Sequence, residues 1–362
     1  MIRVLVVDDS IFMRAALAKM LETDPEIRVI AAAKNGKDAI EKIRRHNPDV
    51  ITMDVMMPGM DGLETLKVIQ QDFSLPVIMV SSVTEEDAKE TVEALSLGAF
   101  DFIPKRLNKA PVDILRIQND LIAKVRAAYE ARAKRSLAST LRKDSGAPPA
   151  RPSFHAEKGA LELVVIGAST GGPNAVQRIV AELPADFPVP IYVVIHMPPT
   201  FTRSYAERLN QLSMLHTQEA ADGITLRPGH VYIARGGIHS HIRRTGDGLA
   251  VHLAPHPEDT LHRPSVDVTM LTAVQAVGPG VLGIVLTGMG KDGLAGMKEI
   301  HRVGGITLAQ DEATSVVYGM PRVCIENQIV QKILPIDTMA EEILKIVRQR
   351  SCVSVSSQKS PP

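Results

Sequence analysis

Residues 164–172 read VVIGASTGG, an apolar run, a glycine turn and a serine at its tip. Gly167-Ala168-Ser169-Thr170-Gly171 fits G-x-S-x-G, in which small residues after a strand lift a serine hydroxyl clear of the sheet. A serine hydroxyl is a weak nucleophile alone. It needs a base, and the base needs an orienting acid. His196 in VVIHMPP and Asp292 in TGMGKDG each follow an apolar, β-branched run. The three groups therefore fall at the ends of three expected strands, the edge at which open parallel sheets place their chemistry. Asp292 also lies in a glycine-rich loop, residues 288–293, that opens a helix. Such a loop can aim backbone N–H groups at an oxyanion, or supply an aspartate to a helix N-cap, and the two roles are compatible. Histidines at strand ends are often packing residues, and His216, His230, His239, His241, His252, His256 and His262 compete with His196. Its position directly after a buried-type strand, on the same edge as Ser169, favours it.

A second group of polar residues lies in the first third of the chain. Asp8 and Asp9 follow a first apolar run, Asp54 a third, Ser81 a fourth and Lys105 a fifth. At the carboxyl edge of a parallel sheet these groups converge. Three crowded carboxylates repel one another, and a hard cation of the magnesium type relieves them. One carboxylate can then attack a phosphoryl donor while cation and lysine neutralise the moving oxygens.

The elements that must position these groups alternate. Residues 4–7, 29–32, 50–53, 77–80 and 100–103 read as strands, with helix-period runs at 12–21, 37–45, 63–70 and 85–97, and a further helix from Pro111 to about 137. Five strands alternating with helices predict a doubly wound parallel sheet. From 138 to 159 the pattern fails in a Pro, Gly, Ser and charge-rich stretch that marks a linker. Its basic prelude, Lys124, Arg126, Arg132, Lys134, Arg135, Arg142 and Lys143, reads as a solvated helix face or as a partner surface. Alternation resumes with strands at 163–166, 191–196, 230–234, 281–287 and 305–309, a β-hairpin turning at residues 245–248, and a last helix at about 339–347. The expected boundaries are therefore 1–120, a helix and flexible linker at 121–160, a second α/β domain at 161–347 that is mainly parallel and doubly wound with a β-hairpin, and a disordered tail at 348–362.

The 362 residues exceed what one core usually serves. Lys plus Arg and Asp plus Glu are both 41, so no global field attracts nucleic acid or acidic membrane. Residues 161–347 show neither a helix-turn-helix nor a basic surface, which argues against DNA binding. Cys324 and Cys352 form no metal or disulfide pattern, which suits a reducing cytoplasm. The N-terminal apolar run is too short for a signal peptide, and no stretch approaches the length of a membrane span. The glycine turn at 167–172 could also cradle a dinucleotide, but none of the five tyrosines has a lysine four residues on, and no acidic ribose-binding residue is evident. The order Ser169, His196, Asp292 differs from the Ser, Asp, His order of α/β-hydrolases. An esterase of another substrate, or a binding module in which Ser169 merely makes a turn, remains open from these residues.

LVVDDS, TMDVMMPGMDG, MVSS and the lysine of FIPK, in that order, resemble a response-regulator receiver domain over residues 1–120. The resemblance implies phosphorylation of Asp54 by a histidine kinase, with Mg²⁺ held by Asp9, Asp54, the Met56 carbonyl and, through water, Asp8. It places Ser81 and Phe102 at the hydroxyl and aromatic switch positions, and Arg106 where many receivers have proline. GASTGG, HMPPTFTRSYAERL, HRPSVD and TGMGKDGLAGM resemble the catalytic domain of the chemotaxis protein-glutamate methylesterases over residues 161–347. That implies Ser169, His196 and Asp292 as triad, Thr170 and Met289 lining the site, and a Met289 amide for the oxyanion. It implies γ-methyl glutamate esters on cytoplasmic chemoreceptor helices as substrate, deamidation of receptor glutamines in some members, no cofactor for ester hydrolysis, and no nucleic-acid partner or membrane insertion. It further implies an inhibitory receiver released by phosphorylation, and an open groove for a helical substrate, bordered by Arg203, Gly236 and Gly237.

Overall fold

The computed structural model describes residues 1–105, 111–141 and 160–351. The chain divides into two compact units, Met1–Ala150 and Arg151–Pro362.

The first unit runs β1 (Ile2–Val7), α1 (Ile11–Leu21), β2 (Ile27–Ala33), α2 (Gly36–His46), β3 (Val50–Asp54), α3 (Gly62–Asp72), β4 (Val77–Ser81), α4 (Glu85–Ser96), β5 (Asp101–Pro104) and α5 (Pro111–Leu141). The five strands pair in parallel in the order β2-β1-β3-β4-β5. Side chains at Ser10, Asn35, Asp61 and Thr84 cap the first four helices, each accepting a backbone N–H of the first turn. On one face Val4, Val6, Leu17, Leu21, Leu121 and Val125 are buried together, each worth about 1.5–3 kcal/mol by apolar burial. Helix α5 is also tied electrostatically. Lys124 pairs with Asp101 and Asp120, Arg126 with Asp24 and Glu26, and Arg132 with Asp49. These three cations are therefore spent within the first unit and do not form a free partner surface. Arg106, Arg142 and Lys143 lie outside the described residues, as does the side chain of Arg135.

The second unit runs β6 (Leu163–Ala168), α6 (Gly172–Glu182), β7 (Ile191–Ile195), α7 (Pro199–Leu212), β8 (His216–Glu219), β9 (His230–Ile233), β10 (His239–Thr245), β11 (Gly248–Ala254), α8 (Val266–Val277), β12 (Val281–Val285), α9 (Leu294–Arg302), β13 (Ile306–Gln310), α10 (Met320–Glu326), β14 (Lys332–Leu334) and α11 (Ile336–Ser351). Its main sheet has seven strands, all parallel, in the order β14-β13-β12-β6-β7-β9-β8. The two edge strands, β8 (HTQE) and β14 (KIL), are additions to the five expected. Each is too short and too polar to show the apolar run that marked the others. Strands β10 and β11 form the expected antiparallel hairpin, closing at Thr245 and Gly248. Helix α11 continues to Ser351, so residues 348–351 are helical rather than tail, and 352–362 lie outside the described residues.

Both sheets start near their middle and grow outward in two directions. The reversal falls between β1 and β3 in the first and between β6 and β12 in the second. A crevice opens beyond the carboxyl ends at such a reversal. Among the described residues no helix is long and apolar enough to cross a membrane.

Candidate active site and acidic pocket

In the second unit, Ala168 pairs with Ile195 across β6 and β7, so Ser169 and His196 are the next residues out on neighbouring strands. Strand β12 flanks β6 on the other side, and the Ser169 N–H donates to the Thr287 carbonyl at 3.1 Å. The chain then turns sharply, with Gly172 N–H donating to Ser169 O at 2.7 Å. The left-handed residue of this turn is Gly171, at φ 75°, not the serine. The backbone strain of the elbow thus rests on a residue that tolerates it. Gly288 allows the β12–α9 loop to approach. A Cβ there would lie 2.9 Å from Ser169 Cβ and 2.3 Å from Met320 Sδ.

His196 Nε2 lies 2.8 Å from Asp292 Oδ2. The carboxylate accepts four further hydrogen bonds. Oδ2 takes the Val266 N–H at 2.8 Å, and Oδ1 takes the Ser265 hydroxyl at 2.9 Å, the Asp267 N–H at 3.0 Å and the Gly293 N–H at 3.1 Å. Ser265 is the N-cap of α8, so Asp292 sits against the positive end of that helix. Burial opposes its charge, but the His196 bond and the amides of Asp267 and Val266 outweigh burial and hold the carboxyl well below the usual carboxylate range. Helix α8 is itself anchored by Val266, Met270, Ala273 and Val274 in the core. In return, Asp267 Oδ1 accepts the Gly296 N–H of α9 at 2.8 Å. Burial first, and then the neighbouring Asp292 charge, push the Asp267 carboxyl up to about 6.

Because the Asp292 carboxylate only accepts, Nε2 carries a proton, and in the neutral imidazole the basic nitrogen is then Nδ1. Nδ1 is buried and has no hydrogen-bond partner among the described residues. The two ring nitrogens are thus used in the opposite sense to the serine-protease pattern, where the aspartate holds Nδ1. Thr170 is buried, and its carbonyl accepts the Thr287 hydroxyl at 2.9 Å. Met289 is half-buried in a loop pinned by the Gly319 and Met320 N–H groups, both donating to Gly288 O.

The other histidines separate. His216 and His230 lie at the opposite, amino-terminal edge of their strands, and His241 and His252 face one another on the hairpin. His262 stacks on His196. From the sequence His262 is only one of seven histidines competing with His196, and Ser265 does not stand out. Their only signal is the run HRPSVD at 262–267. Gly236 packs where a Cβ would lie 2.6 Å from Met197 O, so it does border the chain after His196. Arg203 is exposed on α7 and pairs with Glu207 at 3.2 Å.

In the first unit, Lys105 Nζ lies 2.9 Å from Asp8 Oδ2 and 2.6 Å from Asp54 Oδ2. Asp8 and Asp54 are buried and Asp9 is exposed, and ligand atoms of all three lie within 4.8 Å of one another. Burial pushes the Asp54 carboxyl up to about 6; Lys105 opposes this, and the Asp8 and Asp9 charges add to it. Met56 follows in the β3–α3 loop with its side chain exposed. Ser81 is fully buried. Its hydroxyl accepts from Thr91 at 2.7 Å, which binds it to α4. The Phe102 ring is buried, with the Lys124 ammonium 5.5 Å from its centroid.

Family models match both units: "CheB methylesterase" over residues 164–343 and "Response regulator receiver domain" over 4–114. A protein-glutamate methylesterase/protein-glutamine glutaminase of Nitratidesulfovibrio vulgaris is 45% identical, over 95% of this chain and 99% of its own. One from Pyrococcus abyssi is 39% identical, over 96% of this chain and 94% of its own. The crystal structure of the Thermotoga maritima CheB methylesterase catalytic domain matches with a TM-score of 0.51 at 39% identity, over 52% of this chain and 100% of that one. Two domains in the same order, matched nearly end to end in relatives of this similarity, show that the chain belongs to the CheB family of protein-glutamate methylesterases/protein-glutamine glutaminases.

Proposed function

We propose that this chain is a phosphorylation-activated serine hydrolase that removes methyl groups from glutamate γ-esters on the cytoplasmic helices of chemoreceptors. The observation that carries this reading is the Asp292 carboxylate. It is half-buried, held ionised by five hydrogen bonds and fixed to the imidazole of His196, which follows the strand next to that of Ser169. Ser169 Oγ attacks the ester carbonyl as His196 Nδ1 takes its proton. Asp292 stays ionised and stabilises the imidazolium. The amides of Met289 and Thr170 receive the oxyanion. The His196 proton passes to the departing methoxide, which leaves as methanol. Water then attacks the acyl-enzyme, and glutamate and free Ser169 are regenerated. A glutamine side chain runs the same course with ammonia as leaving group, and the relatives' names carry both activities.

In the first unit, Asp54 is the phosphoryl acceptor and a histidine kinase the donor. The donor set of three close carboxylates suits a hard divalent cation. Asp8, Asp9, Asp54 and the Met56 carbonyl would hold Mg²⁺, which neutralises phosphoryl charge when bound. Lys105 adds its own positive charge there, and Ser81 and Phe102 respond to the phosphorylated aspartate. The protein works in the cytoplasm, where its receptor helices and kinase are found.

The test is methanol release from methylated chemoreceptor membranes. Wild type should release it, and Ser169→Ala should lose activity by several orders of magnitude while remaining folded. Near-normal turnover by a folded Ser169→Ala protein would reject the assignment.

A further inference from the structure

Asp292 holds the His196 ring through one nitrogen. Both ring nitrogens lie off the Cβ–Cγ axis, Nδ1 farther than Nε2. That torsion is intrinsically broad. One hydrogen bond restrains it, and the rotation that remains moves Nδ1 more than Nε2.

The missing restraint is a second ring. His262 lies over His196 with centroids 3.8 Å apart and planes within 10°. It is carried on residues 255–265, which join β11 to α8 and are tied down by one buried side chain. His239 on β10 is 0% exposed. Its Nδ1 accepts the Ser265 N–H at 3.3 Å, and its Nε2 lies 3.1 Å from Pro257 O and 2.9 Å from the Thr260 hydroxyl. Since Nδ1 accepts, Nε2 carries the proton. Burial lowers the pKa of this imidazole and keeps it neutral. Gly237 N–H also donates to Arg263 O at 3.0 Å, which holds the residue next to His262.

We propose that His262 is a positioning residue for the base: by stacking, it fixes the plane of the His196 imidazole, and so the aim of Nδ1 during proton transfer. This rests on the hydrolase reading above. A parallel ring in contact resists rotation about Cβ–Cγ and so adds to the restraint of the single Asp292 bond. Its contribution is to geometry, so an aromatic ring without titratable nitrogens should serve.

The experiment compares full-length wild type, His262→Ala and His262→Phe. The readouts are kcat and KM for methanol release, labelling of Ser169 by a fluorophosphonate, and the His196 ring-proton shifts in ¹H–¹³C spectra. His262→Ala should lower kcat roughly 10- to 100-fold with KM within about twofold, and slow labelling similarly. His262→Phe should recover most of the loss. The His196 ring protons should move downfield in the Ala variant and return in the Phe variant. Wild-type turnover by His262→Ala, or a loss that Phe does not recover, overturns the proposal. If wild type itself neither releases methanol nor labels at Ser169, the hydrolase reading fails. The ring shifts then still decide the stacking, and unchanged shifts in His262→Ala reject it.

Discussion

Two carboxylates of this protein have their environments tuned in opposite directions, and each tuning has a measurable consequence. Asp292 receives only donors: three on Oδ1 and two on Oδ2. An asparagine must turn its NH₂ toward at least one of those N–H or O–H groups, leaving it unsatisfied at a cost of about 1–3 kcal/mol. It also removes the negative charge that stabilises the imidazolium. Asp292→Asn should therefore lower kcat roughly 10³- to 10⁴-fold and also lower Tm. Full activity, or an unchanged Tm, would contradict the described network. Asp54 is the reverse case. Its carboxyl is raised from 3.8 to about 6, chiefly by burial. A raised acid binds its proton more tightly folded than unfolded. Its ionisation therefore penalises the fold fully above pH about 6, and the penalty fades as pH falls toward 3.8. Asp54→Asn should raise stability at pH 7.5 in chelator by up to about 3 kcal/mol, since Lys105 keeps Asp8 as partner. The gain should shrink toward pH 4. Thermal melts of both proteins at the two pH values check this, and a lower Tm for the variant at pH 7.5 would count against it.

At the scale of elements, the site depends on two helix starts that hold one another. Asp292, just before α9, accepts the first amides of α8, and Asp267, in the first turn of α8, accepts the Gly296 amide of α9. Each helix dipole is complemented by a carboxylate belonging to the other. Ser265→Ala removes both the α8 cap and the hydroxyl on Asp292. The expected cost is about 1 kcal/mol of stability, with a larger proportional loss of kcat. A thermal melt alongside methanol release separates the two. The β12–α9 loop is held as tightly. A methyl group at Gly288 would meet Ser169 Cβ at 2.9 Å. Gly288→Ala should therefore depress kcat at least about tenfold by displacing the nucleophile, and wild-type kcat would show that the loop has slack.

At the scale of the whole molecule, one chain carries two parallel sheets, each with its candidate site at a reversal of strand order. The division into Met1–Ala150 and Arg151–Pro362 gives each site its own core. Regulation then needs only that the phosphorylated and unphosphorylated receiver differ in affinity for the second unit. The size of the effect is bounded by that difference. A small phosphodonor with Mg²⁺ should raise methanol release by wild type, and chelator or Asp54→Ala should abolish the response. If the unphosphorylated receiver inhibits, a fragment of residues 160–351 should exceed the full-length protein in the absence of phosphodonor. Equal rates would leave direct activation as the role of the phosphate.

Much of this was determined by the sequence alone. Central strands announce themselves because both faces are buried, so VLVV, VVIG and YVVI are continuous apolar runs that local reading detects. Their last residues then mark the carboxyl edge, which is why Ser169, His196, Asp292, Asp8, Asp54 and Lys105 were legible by position and type. Strands β8 and β14 were not, because an edge strand is defined by the neighbour it pairs with rather than by its own composition. Nor were the supports of the site. No local signal connects residue 262 with 196, or 265 with 292, since those contacts are made only when α8, α9 and the hairpin pack together. Which imidazole nitrogen faces the aspartate was likewise decided by tertiary structure alone. It follows from the direction in which the α8 start presents Asp292 to the ring, and a sequence carries no such direction.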